Sequence, residues 1–188
     1  MAAYQLPLEV FYEREARHPN KLYMVQPLAD GQLEQLTWSE VGEQARRAAN
    51  WLRGLDIEQG SRVAIISKNC AHWIIADLAI WMAGMVSVPL YPNLTAESVR
   101  QVMEHSESRV AFIGKLDDYA TQASGVPAEL IKVALPPYGA QPEPADCLRW
   151  NELIAQHAPL AQPHEPSAAE PFTIIFTSGT TGTPKGVV

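Results

Sequence analysis

The sequence predicts an α/β protein, a layered sandwich around a mainly parallel sheet, and three observations carry that expectation. Short β-rich runs at 62–67, 85–90 and 109–113 are separated by helical stretches. Strands alternating with helices at this spacing form βαβ units, whose crossovers are right-handed almost without exception. The stretch 71–83 between the first two runs is apolar nearly all round, as expected for a helix buried between layers. Finally, 188 residues with 47% apolar and 19% charged side chains suffice for a sizeable core without disulfide or metal staples.

Each element has its own signal. A short helix over 8–16 starts beside Pro7 and ends at His18-Pro19, because a residue before proline avoids the α region. Runs 21–27 and 33–37 flank Asp30-Gly31, a hairpin signal that uses glycine's tolerance of positive φ. Thr37 and Glu40 stand at capping-box spacing, and Gly54 suits the position just past the helix end. Between them Trp38, Val41, Ala45, Ala48, Ala49 and Leu52 form an apolar stripe close to a period of 3.6. Asn69 is expected to cap the helix through Ala83, with Gly84 stopping it, and Thr95 to cap another reaching about Ser106. A further helix–strand step is expected over 117–124 and 130–134. Residues 136–171 hold eight of the fifteen prolines, a loop-rich connection with one short helix near 150–156. After Pro171 an apolar strand is expected at 172–176. The chain thus divides into a βαβ-type core (1–135), a proline-rich connection (136–171) and a terminal strand and loop (172–188).

Composition excludes several functions. Fourteen basic against twenty-one acidic side chains give a net charge of −7, which argues against a nucleic-acid partner. Cys70 and Cys147 lie far apart without CxxC spacing, so two free thiols in a reducing compartment are expected. The N-terminus lacks the basic and apolar regions of a signal peptide. The most apolar stretch, 73–90, contains Asp77, Gly84 and Pro89, a poor membrane span. A cytoplasmic location without a transmembrane segment follows, with peripheral membrane attachment left open. His18, His72, His105, His157 and His164 share no metal-ligand spacing and read as surface or capping residues. Trp38, Trp51, Trp73 and Trp81 sit on helical faces and read as core. No serine has a histidine-partner pattern, so hydrolase chemistry has no support.

The residues that point to chemistry are Thr177-Ser178-Gly179-Thr180-Thr181-Gly182-Thr183-Pro184-Lys185-Gly186, directly after the expected strand. Glycines let backbone N–H groups approach an oxyanion, hydroxyls add donors, and lysine adds a full charge. This is not the Walker pattern, which needs Gly-Lys followed by Ser or Thr; here Lys185 lies between Pro184 and Gly186. By composition alone, a flexible Gly/Thr loop with a solvated lysine is the favoured reading.

The order of residues favours the phosphate cradle. TSGTTGTPKG resembles the signature loop of the adenylate-forming enzymes, the superfamily of acyl-CoA synthetases, luciferases and peptide-synthetase adenylation domains. Upstream, 36–40 (LTWSE), 60–65 (GSRVAI), Asn69 with 73–79 (WIIADLA) and 88–97 (VPLYPNLTAE) resemble the long-chain fatty acid branch. Departures are His72 where an acidic residue is common, Asn93 where threonine is common and Phe176 where tyrosine is common.

The resemblance implies ATP binding, with Thr177, Ser178, Gly179, Thr180, Thr181, Gly182 and Lys185 around the β- and γ-phosphates. It implies a parent that joins a fatty acid to ATP, giving acyl-adenylate and pyrophosphate, after which coenzyme A displaces AMP. It also implies Mg2+, although the family's magnesium motif, adenine shelf and mobile C-terminal domain lie beyond the position matching Val188. On that ground the chain reads as an N-terminal piece, a truncated ligase inactive alone and without a catalytic residue of its own. Two alternatives stay open: part of a fatty acyl-AMP ligase loading a carrier protein, or a non-catalytic folding or association module.

Overall fold

The computed structural model describes residues 5–138, 144–178 and 184–188. Helix α1 (Pro7–Arg17) opens with proline at its first position and the Leu6 N–H donated to Glu9 Oε2 at 2.8 Å. Strands β1 (Leu22–Pro27) and β2 (Leu33–Thr37) pair antiparallel. Their turn has Gly31 at φ +81° and the Gln32 N–H donated to Asp30 Oδ1. The capping box expected for α2 (Trp38–Arg53) is present: Glu40 N–H reaches Thr37 Oγ1, and Thr37 N–H reaches Glu40 Oε2 at 2.7 Å. Its stripe of Val41, Ala45, Ala48, Ala49 and Leu52 is fully buried. Gly54 adopts right-handed φ of −77° rather than the left-handed conformation expected of a residue past the helix end. Its N–H bonds back to Asn50 O, closing the helix with an ordinary turn.

The central sheet follows from the alternation. It comprises β3 (Arg62–Ile66), β4 (Val86–Leu90), β5 (Val110–Ile113), β6 (Ile131–Ala134) and β7 (Leu148–Arg149), all parallel, in the order β4-β3-β5-β6-β7. Because strand side chains alternate, each central strand feeds two cores. Val63, Ile65, Val110 and Phe112 face a core shared with α1, α2, α3 (Ala71–Met82) and α6 (Trp150–Gln156). Ala64, Ile66, Ala111 and Ile113 face a second core with α4 (Ala96–Ser106). Thr95 caps α4 by accepting the Ser98 N–H.

Three elements depart from the sequence reading. Asn69 does not cap α3. The cap position is Cys70, and the orphan Ala71 N–H is taken by Gln26 Oε1 at 2.9 Å, a buried side chain from β1. The helix expected at 117–124 contracts to α5 (Ala120–Ala123). Strand β7 has no counterpart in the sequence reading, since two residues inside a proline-rich stretch carry no periodic signal. Gly84, by contrast, ends α3 at φ +76° as expected. Among the described residues no helix is long and apolar enough to cross a membrane.

Candidate functional site

The site begins at the β4 edge of the sheet. Ser87 N–H donates to Phe172 O (2.9 Å), and Ile174 N–H donates to Ser87 O (2.8 Å), so Thr173 forms a single parallel bridge with Ser87. The indole N–H of Trp81 on α3 reaches the same Phe172 carbonyl at 2.9 Å. The apolar run expected at 172–176 is therefore a bridge followed by a later strand, β8 (Ile175–Ser178). It pairs antiparallel with β9 (Pro184–Val187), an element the sequence reading missed.

Phe176 anchors this hairpin. It is buried in the second core among Leu90, Val99 and Met103, with its ring edge-on to His105 at 6.1 Å. Gly186 lies opposite Phe176 in the register. A Cβ there would stand 3.0 Å from Ile174 Cγ2 and 3.2 Å from Phe176 Cζ, so the ring crosses over a position kept bare. Gly186→Ala requires Ile174 Cγ2 and the Phe176 ring to give by a few tenths of an ångström and is expected to lower the Tm slightly. An unchanged melting curve would show that the ring does not depend on that space.

Alternation then turns Thr177 outward. Thr177 pairs with Lys185 across the hairpin and both are exposed. Ser178 ends β8 opposite Pro184, and Gly179, Thr180, Thr181 and Gly182 lie outside the described residues. The structure thus brings Thr177 and Lys185 together at the mouth of the loop. Among the described residues no carboxylate forms an ion pair with Lys185, which leaves its charge available to an anion. Among those residues, too, no group of three or more His, Cys, Asp or Glu could hold a metal ion.

His72 corrects the expectation of a surface or capping histidine. It is buried, and burial pushes its pKa down to about 4. Its Nε2 lies 3.2 Å from Gln44 Oε1, which only accepts, so Nε2 carries the proton and Nδ1 accepts the Tyr138 hydroxyl. Trp150 Nε1–H donates to the same Gln44 oxygen at 3.3 Å. This network ties α2, α3 and α6 together. Of the four tryptophans expected in the core, Trp51 is buried whereas Trp38, Trp73 and Trp81 are half-buried.

A hydroxyl-, glycine- and lysine-rich stretch held between two paired strands, with its lead-in bridged to the edge of a parallel sheet, points to a class. The family model for AMP-binding enzymes matches residues 11–188, and the chain belongs to this family. Within it, the chain is 36% identical over 190 residues to the long-chain-fatty-acid–CoA ligase FadD15 of Mycobacterium tuberculosis. That match covers 93% of this chain and 29% of the relative. Long chain acyl-CoA synthetase 2 of Arabidopsis thaliana is 26% identical, with 97% and 30% covered. The chain therefore spans less than a third of the length of these relatives. Among solved structures, the anthranilate CoA ligase AuaEII superposes with a TM-score of 0.82 over 100% of this chain and 35% of its own, at 20% identity. Acetoacetyl-CoA synthetase from Streptomyces lividans gives 0.82 at 24% identity, over 96% of this chain and 29% of its own. Both support the adenylate-forming fold.

Proposed function

We propose that these residues form the triphosphate-gripping part of a fatty acid–CoA ligase. The observation that carries the reading is the antiparallel clamp that sets Thr177 opposite Lys185 at the mouth of a glycine- and threonine-rich loop. When ATP reacts with a carboxylate, negative charge gathers on the departing pyrophosphate. The Lys185 ammonium and the loop's donors would meet that charge, which is electrostatic stabilisation rather than acid–base or nucleophilic work. Thr177, Ser178, Gly179, Thr180, Thr181, Gly182 and Lys185 would share this task. Among the described residues no carboxylate cluster would hold magnesium. Coenzyme A and the fatty acid enter as substrates of the whole enzyme, by likeness to the relatives named above. A loop that addresses only the far end of ATP does not orient the reacting phosphorus, and orientation is worth about 7–11 kcal/mol of barrier. The 188 residues alone should therefore release no pyrophosphate from ATP and palmitate.

A chimera tests this. The matching segment of FadD15 is replaced by this chain, and palmitate-dependent ATP–pyrophosphate exchange and acyl-CoA formation are measured. Retained exchange and acyl-CoA formation are expected. A folded chimera that exchanges no pyrophosphate, or that loads only a carrier protein, would contradict the proposal.

A further inference from the structure

Helix α3 carries one carboxyl that the proposed function does not use. Asp77 is buried, and its Oδ1 has no hydrogen-bond partner among the described residues. Across the α3–β4 contact the hydroxyl of Ser87 is fully buried and also lacks a partner of hydrogen-bonding geometry. Burial pushes the Asp77 pKa up to about 7, while the nearby Ser87 hydroxyl pulls it the other way. Charged neighbours contribute nothing comparable. Strand β4 and residues 172–174 carry no ionisable side chain; before them, His164 bonds through its backbone N–H to Met82 O of α3 and is paired with Glu170. His72, on the same helix, is turned to Gln44 and Tyr138. From α1 and α2, Glu15 pairs with Arg46, Glu43 with Arg47, and Arg53 bonds to Ala83 O.

The two elements that enclose Asp77 also hold the stem of the loop. Trp81 lies one turn beyond Asp77 on the same helix face. Together with Ser87 it grips the Phe172 carbonyl, while Ser87 O receives the Ile174 N–H. Around Asp77, α3 is locked by fully buried Ile75, Ala76, Ala79, Ile80 and Met82. Residues 172–174 are held by one isolated bridge, and Phe172 is 42% exposed.

We propose that Asp77 is a positioning residue for the phosphate loop, a proton-operated latch on its stem. As a neutral acid it turns its O–H to the nearby Ser87 Oγ after a small approach of the two side chains, which satisfies both orphan oxygens and leaves 172–174 closed on β4. As a carboxylate it only accepts, the Ser87 hydroxyl is the one donor near the enclosed Oδ1, and the charge there draws water in and loosens the stem. The consequence for ligand binding rests on the phosphate-loop reading; the latch itself does not.

Linkage sets the pH window. Closed, Asp77 titrates at about 7; open and hydrated, it returns towards its ordinary 3.8. Opening is rarest below the lower value, grows by up to about tenfold per pH unit between the two, and levels off above the upper one.

The test is hydrogen exchange of the Ser87 and Ile174 amides and the Trp81 indole in the 188-residue chain without nucleotide. Measurements run from pH 5 to 8, corrected for intrinsic rates, with the β3 amides as reference. Opening at the stem should rise at least tenfold from pH 5 to 7 and then flatten, while β3 stays unchanged. Asp77→Asn should abolish the dependence, and Ser87→Ala, which removes the donor to the ionised form, should move the flattening to higher pH. Wild-type exchange without pH dependence, an equal rise in β3, or an unchanged profile in Asp77→Asn overturns the latch. Should Asp77→Asn fail to fold, a Ser87→Ala profile identical to wild type overturns it alone. Pyrophosphate affinity relative to Asp77→Asn is followed in parallel. Latch behaviour without any pyrophosphate binding would sink the phosphate-loop reading and leave the latch standing.

Discussion

Trp150→Ala should destabilise the fold by about 3–5 kcal/mol, the usual cost of emptying a tryptophan-sized site in a core. Trp150 is fully buried, edge-on to Phe112 at 5.8 Å and to His72 at 5.6 Å. The substitution opens a void beneath the sheet and removes one of the donors to Gln44 Oε1. It also frees α6, whose terminal carbonyls at Ile154 and His157 are taken by the Arg47 guanidinium. Against a total stability of about 5–15 kcal/mol, that loss leaves a substantial unfolded fraction. Urea unfolding of both proteins measures it. A difference below about 1 kcal/mol would mean that α6 is an appendage rather than part of the core.

That position shows where the sequence was readable and where it was not. The helix at 150–156 was visible from its pattern, but its burial was not, because seven residues flanked by prolines look like a surface turn. The caps at Thr37 and Thr95 were legible because each bond closes within four residues. The cap of α3 was hidden because Gln26 supplies it from 45 residues away. The βαβ rhythm gave the sheet, since parallel strands buried on both faces read as unbroken apolar runs. At the site, the loop's chemistry was visible in its residue types. The pairing of Thr177 with Lys185 was not, because β9 is four residues containing a proline and a glycine. The apolar Val187 beyond Gly186 was the only trace of alternation there. Asp77 was read only as a flaw in a membrane span, since burial of a carboxyl on a nearly all-apolar helix becomes apparent only once both its faces are packed.

Lys185→Ala should lower fatty-acid-dependent ATP–pyrophosphate exchange in the FadD15 chimera by about 10- to 100-fold. A charge-assisted contact to a phosphate oxygen is worth about 1.5–3 kcal/mol, and here it acts on the group that leaves. Pyrophosphate is present only in the first half-reaction. Thioester formation from supplied acyl-adenylate should therefore fall much less. Equal loss in both halves would place Lys185 elsewhere in the mechanism. Lys185→Arg should restore only part of the rate, because a planar fork replaces a compact point charge between Pro184 and Gly186.

The central claim is that the β8–β9 clamp grips the pyrophosphate end of ATP. Calorimetric titration of the 188-residue chain with pyrophosphate, ATP and AMP, at low and high salt, addresses it most directly. Pyrophosphate and ATP should bind weakly and comparably, AMP should not bind measurably, and added salt should weaken both affinities. Lys185→Ala should lower both affinities by about tenfold or more. Binding of AMP as tight as that of ATP, or pyrophosphate binding unchanged by Lys185→Ala, would contradict the account.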